Sequence, residues 1–250
     1  MSWAGYVTDL VAFGEVLDRQ PETQATADGL RTEAARFALA WSEEHSLVSS
    51  KPGIRLPIPR RGHHPTECEV DEAWLTFAFQ VEGDDSPLPR RADYQIRVVG
   101  SLLYPEGAAL TVEDHWRVDT HQYNIVPEAG LPAPNEPHAL FHFQRGGYAF
   151  ESFAAGVGYV PGRDLPVRGD GVWLASMHND GPRVPHLPMC PIIAIDYVLG
   201  QHDGRVLRRL RESPEYGELV RSAQDRIWTP FLTSLSTRLG QKAWLGELIA

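Results

Sequence analysis

The stretch Glu72-Ala-Trp-Leu-Thr-Phe-Ala-Phe-Gln-Val81 decides the fold. Its odd positions, Ala73, Leu75, Phe77, Phe79 and Val81, are all apolar. A β-strand turns successive side chains to opposite faces, so this spacing sends one face into a core. The pattern recurs three times downstream. In Asp93–Tyr104 the apolar residues Tyr94, Ile96, Val98 and Leu102 take the even positions, and Asp93, Gln95 and Arg97 turn the other way. In Leu110–Tyr123, Leu110, Val112, Trp116 and Val118 share a face, with Asp114 as the exception. In His138–Gln144, Phe141 and Phe143 lie on one side. The short links Gly83–Pro89 and Pro105–Gly107 suit antiparallel hairpins, and the proline-rich Pro127–Pro137 makes a longer one. A four-stranded antiparallel meander follows, with a fifth strand weakly signalled near Tyr148–Val157.

Helical periodicity flanks these strands. Upstream, Tyr6–Leu17 carries Val7, Leu10, Val11 and Val16, and Leu30–Glu44 carries Leu30, Ala34, Phe37, Ala38 and Trp41 at helical spacing. Pro21 separates the two, because the residue before proline avoids helical backbone. The prolines of Ser49–Pro65 mark an extended connector that ends in the solvated pair His63-His64. Downstream, Pro191 opens a helix with Ile192, Ile195, Val198 and Leu199 on its stripe, and a short helix over Val206–Arg211 follows. Ser213-Pro214-Glu215 is a strong start for the last helix: a cap hydroxyl, proline in the first turn and an acid at the positive helix end. Pro230 predicts a kink near Trp228, and Gly240 a stop. No composition shift divides the chain. The expectation is one α+β domain over residues 1–250: a helical segment 1–48, a four- to five-stranded meander within 66–180, and C-terminal helices 191–240 packed on one sheet face.

Composition limits the function. The 250 residues carry 33 acidic and 23 basic side chains, a formal charge of -10. That balance argues against broad nucleic-acid binding and against anionic membranes. Only Lys51 and Lys242 are lysines, so nearly every cation is an arginine; a genome-wide arginine bias accounts for this without any function, and the alternative is arginine used as a planar fork for carboxylates or phosphates. Two cysteines, Cys68 and Cys190, are too few for a disulfide framework and fit a reducing compartment. No stretch reaches the roughly 18 apolar residues of a membrane span, and no basic leader precedes the first apolar run. A cytoplasmic protein is expected.

The polar faces of the third and fourth runs carry the chemical signal. One reads Thr111, Glu113, His115, Arg117, Asp119, His121 and Tyr123; the other carries His138, His142 and Gln144. Exposed strand faces ordinarily use Thr, Lys, Glu and Gln, so four histidines and an aspartate on one hairpin stand out. Alternate residues on one strand sit about 6.5–7 Å apart, and opposed residues about 4.5–5.5 Å apart at Cβ. A metal would therefore draw ligands from both strands, such as His115 or Asp119 with His142. Imidazole and carboxylate suit a divalent transition metal such as Zn, Fe or Mn. The same groups could do acid–base work instead. Histidine titrates near neutrality, Asp119 could orient it, and Arg117 could hold an anionic intermediate. Simple solvated histidines, or a ligand-recognition surface, are the remaining readings. Neither CxxC pairs nor HExxH occur, and the cofactor is left unknown.

A second candidate is Arg183-Val-Pro-His186-Leu-Pro-Met-Cys190. A thiol before a helix N-terminus can be activated, and His186 would be its base. The apolar neighbours Met189, Pro191, Ile192 and Ile193 favour an inert buried thiol, and His186 could reach the sheet face instead. There is no GxxxxGK[ST] phosphate loop, no strand-bound GxGxxG and no GxSxG elbow, which speaks against P-loop NTPases, Rossmann dehydrogenases and α/β-hydrolases.

The order of elements carries a resemblance. A helix, a meander, a proline-rich passage and then Pro185–Phe231, with Ser213-Pro214-Glu215-Tyr216 opening its final helix, resembles ubiquitin-conjugating (UBC-like) and RWD domains over about Ala73 to Leu235. The family's His-Pro-Asn tripeptide is absent, and no cysteine follows the fourth strand where conjugating enzymes carry their nucleophile. The resemblance thus implies an interaction module rather than thioester transfer. Two functions are carried forward. One is a small hydrolytic enzyme using His115, Arg117, Asp119, His142 and His186. The other is a non-catalytic UBC-like adaptor with an unidentified protein partner in a multi-protein bacterial system.

Overall fold

The computed structural model describes residues 2–57, 68–103, 109–120, 141–145, 184–185, 187–202 and 204–240. Helix α1 (Tyr6–Asp18) buries Tyr6, Leu10, Phe13, Val16 and Leu17. A 3-10 turn at Pro21–Thr23 leads into α2 (Gln24–Glu44). The second helix starts six residues before Leu30, where its apolar periodicity begins. Tertiary contacts account for the difference. Thr26 is buried and donates a 2.7 Å hydrogen bond to the Arg55 carbonyl. Gly29, lacking a Cβ, lets the Ile54 side chain approach. The same packing settles the stripe: Thr26, Ala27, Leu30, Glu33, Phe37 and Trp41 face inward, whereas Ala38 is exposed.

The sheet is antiparallel and runs β1-β3-β4-β5-β6-β7, with β2 also pairing β3. Its centre is the meander expected from the sequence: β3 (Cys68–Gln80), β4 (Arg91–Leu103), β5 (Ala109–Thr120) and β6 (Phe141–Arg145). Three short strands extend it. These are β1 (Ser46–Val48) and β2 (Ile54–Arg55) on one edge, and β7 (Val184–Pro185) on the other. Between β1 and β2 the chain turns through Gly53, whose φ of 122° places an added Cβ only 2.6 Å from the Leu75 carbonyl oxygen. Positive φ and that close approach both require glycine there.

The alternation assigns the faces as expected. Leu75, Phe77, Phe79, Tyr94, Ile96 and Val118 are buried in one core. Phe37 packs on Phe77, and Trp41 stacks on Phe79 in an aromatic cluster with Trp3 and Tyr6. The helices α3 (Pro191–His202), α4 (Gly204–Arg211) and α5 (Pro214–Gly240) complete the layer, with Phe231 of α5 edge-on to Phe141. N-terminal and C-terminal helices therefore cover the same sheet face. The final helix starts at Pro214 as the sequence predicts, and α4 begins two residues before Val206.

Buried polar groups fasten the layers. The Tyr94 hydroxyl donates to the Met189 carbonyl at 2.8 Å, and Trp228 Nε1 to the Pro188 carbonyl at 2.8 Å. Asp196 of α3 is 6% exposed and accepts from Tyr216 at 2.8 Å and from Arg211 at 3.0 Å. Arg226 forms an ion pair with Asp9 and lies 5.7 Å from the Tyr6 ring centre, tying α5 to α1. Among the described residues, no helix is long and apolar enough to cross a membrane.

Candidate functional site

The side of the meander opposite the helical layer is the face the sequence singled out. Strand pairing gives Gln95↔Arg117 and Arg97↔His115 between β4 and β5, then Arg117↔Gln144 and Asp119↔His142 between β5 and β6. Arg97, His115, Arg117, Asp119, His142 and Gln144 therefore occupy one face. Beyond β6, His142 is also the register partner of Pro185 on β7. Among the described residues β7 is an edge strand, where proline costs the ladder little.

Register also separates residues that the sequence left together. His142 faces Asp119, not His115. His115 lies four residues along β5 from Asp119, about 13 Å at the usual strand rise. Its partner on the other neighbouring strand is Arg97. The face thus has two zones: Asp119 and His142 with Arg117 between β5 and β6, and His115 with Arg97 between β4 and β5. Arg97 was readable from the alternation of Asp93–Tyr104 but was not selected, because its neighbours across the sheet depend on register.

Arg117 and Asp119 interact along the strand. Arg117 Nε lies 2.8 Å from Asp119 Oδ2, with the side chains only 14% and 22% exposed. The contact is a close ionic approach without the alignment of a hydrogen bond. Gln95 and Arg97 on the same face are exposed, whereas Trp74 and Thr76 are half-buried and Ala78 is buried, so exposure varies across the face. A guanidinium and a carboxylate held this close in a partly desolvated place attract more strongly than on open surface. Arg117 is therefore already held by Asp119, which limits it as a free anion holder.

The other expected site residues fall as follows. His121, His138 and His186, like the pair His63-His64, lie outside the described residues, as do the fifth strand near Tyr148–Val157 and the link Pro105–Gly107. His186 follows Pro185, the partner of His142, in the sequence. Among the described residues, no group of three or more His, Cys, Asp or Glu side chains could hold a metal ion.

The thiol candidate takes its inert form. Cys190 is fully buried and free. Burial pushes its thiol pKa up, although Tyr6 and the amides of Ile193 and Ile192 partly oppose this. Tyr6 itself is raised well above an ordinary phenol, chiefly by burial. Neither group ionises at neutral pH, so the pair supplies no nucleophile.

No protein-family model, curated protein or solved structure matches this chain.

Proposed function

We propose that the chain is a small hydrolytic enzyme whose centre is the Arg117, Asp119 and His142 zone of the polar sheet face. One observation carries the reading: Asp119 and His142 are direct cross-strand partners, and Asp119 also forms a sheltered pair with Arg117 on the same face. In this reading His142 acts as general base. Its imidazole takes a proton from water as the oxygen attacks a phosphodiester or acyl centre, and the imidazolium then returns that proton to the leaving group. Asp119 favours the imidazolium by proximity, and Arg117 offsets charge that develops on the substrate oxygens. His115 and Arg97 form an outer zone, and His186 remains a proposed contributor as the residue that follows Pro185 in the sequence. If a divalent transition metal takes part, His142 and Asp119 are the neighbouring donors, and the metal would supply Lewis-acid activation of water.

The cytoplasm is proposed as its compartment, supported by the low cysteine count and a buried free thiol. The test is a screen of chromogenic phosphodiesters and esters, with elemental analysis of the purified protein before and after chelation. His142→Ala should abolish turnover while the melting temperature holds. Unfolding of that variant, or activity untouched by it, would defeat the assignment.

A second reading is a UBC-like adaptor. Its support is the sequence of helices, four-strand meander and proline-led helices, together with a Cys190 that is sealed in the core and so unsuited to thioester transfer. A stoichiometric copurifying protein, with no activity in the screen, would favour it.

A further inference from the structure

Helices α1 and α5 pack against each other and leave a groove between them. Two ion pairs bridge it, Arg19 with Glu215 at one end and Asp9 with Arg226 at the other. The order of these pairs makes the two helices antiparallel here. The span from Asp9 to Arg19 is about 15 Å at the helical rise. Between the bridges lies a hollow of about 420 Å³. Ala12, Val16 and Leu219 form its apolar floor, and Glu15 and Glu218 stand on opposite walls.

The two wall carboxylates are not neutralised from within the fold. Both are exposed, and among the described residues neither takes part in a side-chain hydrogen bond or ion pair. Arg19 stands four residues after Glu15, a spacing at which the two attract on one helix, yet it bridges to Glu215 instead. Glu15 also lies in the last turn of α1, at the negative helix end, where a carboxylate is disfavoured. Arg221, one turn after Glu218, lines the adjoining hollow with Asp225. One turn before Glu15, Val11 is 38% exposed, so the α1 rim is apolar as well as acidic. A metal ion does not fit here: among the described residues no group of three His, Cys, Asp or Glu side chains is placed to hold one.

We propose that this groove docks a basic amphipathic helix of a partner protein, with an apolar side chain seated over Leu219 and cations on either side of it reaching Glu15 and Glu218. The groove suits a helix in length, since its span equals about three helical turns. Both walls are helices with internally bonded backbones, so an extended peptide would find no ladder to join. Charge selects the sign of the partner. A formal charge of -10 steers a cationic segment toward the chain, and two carboxylates flanking an apolar floor fix where it lands. The inference does not depend on the sheet-face chemistry, because α1 and α5 belong to the helical layer on the opposite side of the sheet.

The experiment is a fluorescence-anisotropy titration of a labelled synthetic peptide with the full chain. The probe is a helical peptide of about 15 residues, with leucines along one face and lysines flanking them at one-turn spacing. Its controls are the same residues in scrambled order and the same helix with glutamate in place of lysine. The basic helix should bind one-to-one, and Glu15→Lys and Glu218→Lys should each weaken it about tenfold or more. Glu43→Lys makes the same change in net charge on the exposed side of α2, outside the groove, and should leave binding unchanged. Scrambled peptide binding as tightly would reduce the effect to general attraction and overturn the groove. An acidic helix binding as tightly would overturn the charge of the partner. An equal loss in Glu43→Lys, unchanged binding in both groove variants, or no binding of the basic helix would overturn the site. Glu15→Lys puts a cation at the negative end of α1, which favours that helix, so loss of binding in this variant reads the groove rather than unfolding.

Discussion

The buried Tyr94 hydroxyl donates a 2.8 Å hydrogen bond to the carbonyl oxygen of Met189, joining the first part of β4 to the segment that enters α3. Trp228 of α5 holds the adjacent Pro188 carbonyl in the same way. These two bonds fix the chain just after His186. Removing a buried donor leaves its acceptor unsatisfied. Tyr94→Phe should therefore cost about 1–2 kcal/mol. Urea unfolding measures this, and an unchanged midpoint would mean that the carbonyl finds another donor.

Asp196 is the hub of a second buried contact. It accepts from the Tyr216 hydroxyl and from Arg211, which binds α3 to the start of α5 and to the end of α4. Burial, the Asp196 charge and the hydrogen bond to Asp196 all push the Tyr216 phenol above its ordinary range, so it is a donor at neutral pH. Asp196→Ala strands that hydroxyl and should destabilise by about 2–3 kcal/mol. Tyr216→Phe alone should cost less, and adding it to Asp196→Ala should cost little more, because the two share one interaction. Additive losses in that double-mutant cycle would show that they act separately.

Glu33 gives stability a pH dependence. It accepts from Arg36 at 2.6 Å and from the Ser50 amide at 3.1 Å, joining α2 to the chain after β1. Burial raises its pKa, but the hydrogen bonds from Ser50 and Arg36 outweigh burial and hold the carboxyl below its ordinary value. A carboxyl lowered in the folded state favours folding when ionised. Its contribution is complete well above the unfolded pKa of about 4.3, and is lost as pH falls through the folded value. Wild-type protein should thus lose more stability between neutral and acidic pH than Glu33→Gln does. Parallel pH profiles of the melting temperature for the two proteins would contradict this.

The sequence made the sheet faces legible because Tyr94, Ile96 and Val98 alternate without interruption, and Ser213-Pro214 announced α5 to the residue. The start of α2 was hidden. Gln24 to Gly29 carry no apolar stripe, and only packing of Thr26 and Gly29 against β2 makes them helical. Strands β1 and β2, of three and two residues, are too short to show a period. The candidate site was half legible: alternation placed Arg117, Asp119 and His142 on one face, but strand register alone pairs His142 with Asp119 and moves His115 away. The hydrogen bonds that hold buried Glu33 and Asp196, to Ser50 and Tyr216, join separate elements of the chain. No spacing rule encodes them.

The last prediction concerns Cys190, which a helix entry alone would make reactive. A thiol at the start of a helix gains from the positive helix end only if water and reagent reach it. Here the side chain is fully buried beneath Tyr6 and the α3 entry, and burial holds its pKa up. In a Cys68→Ser background, a thiol-specific chromogenic reagent should label Cys190 only as fast as the protein opens. The rate should rise with urea in step with unfolding, and should change little with pH across the range where exposed thiols speed up. Labelling of the native protein at the rate of a free cysteine would place a reachable thiolate beside Pro191, and would return the cysteine to the list of candidate nucleophiles.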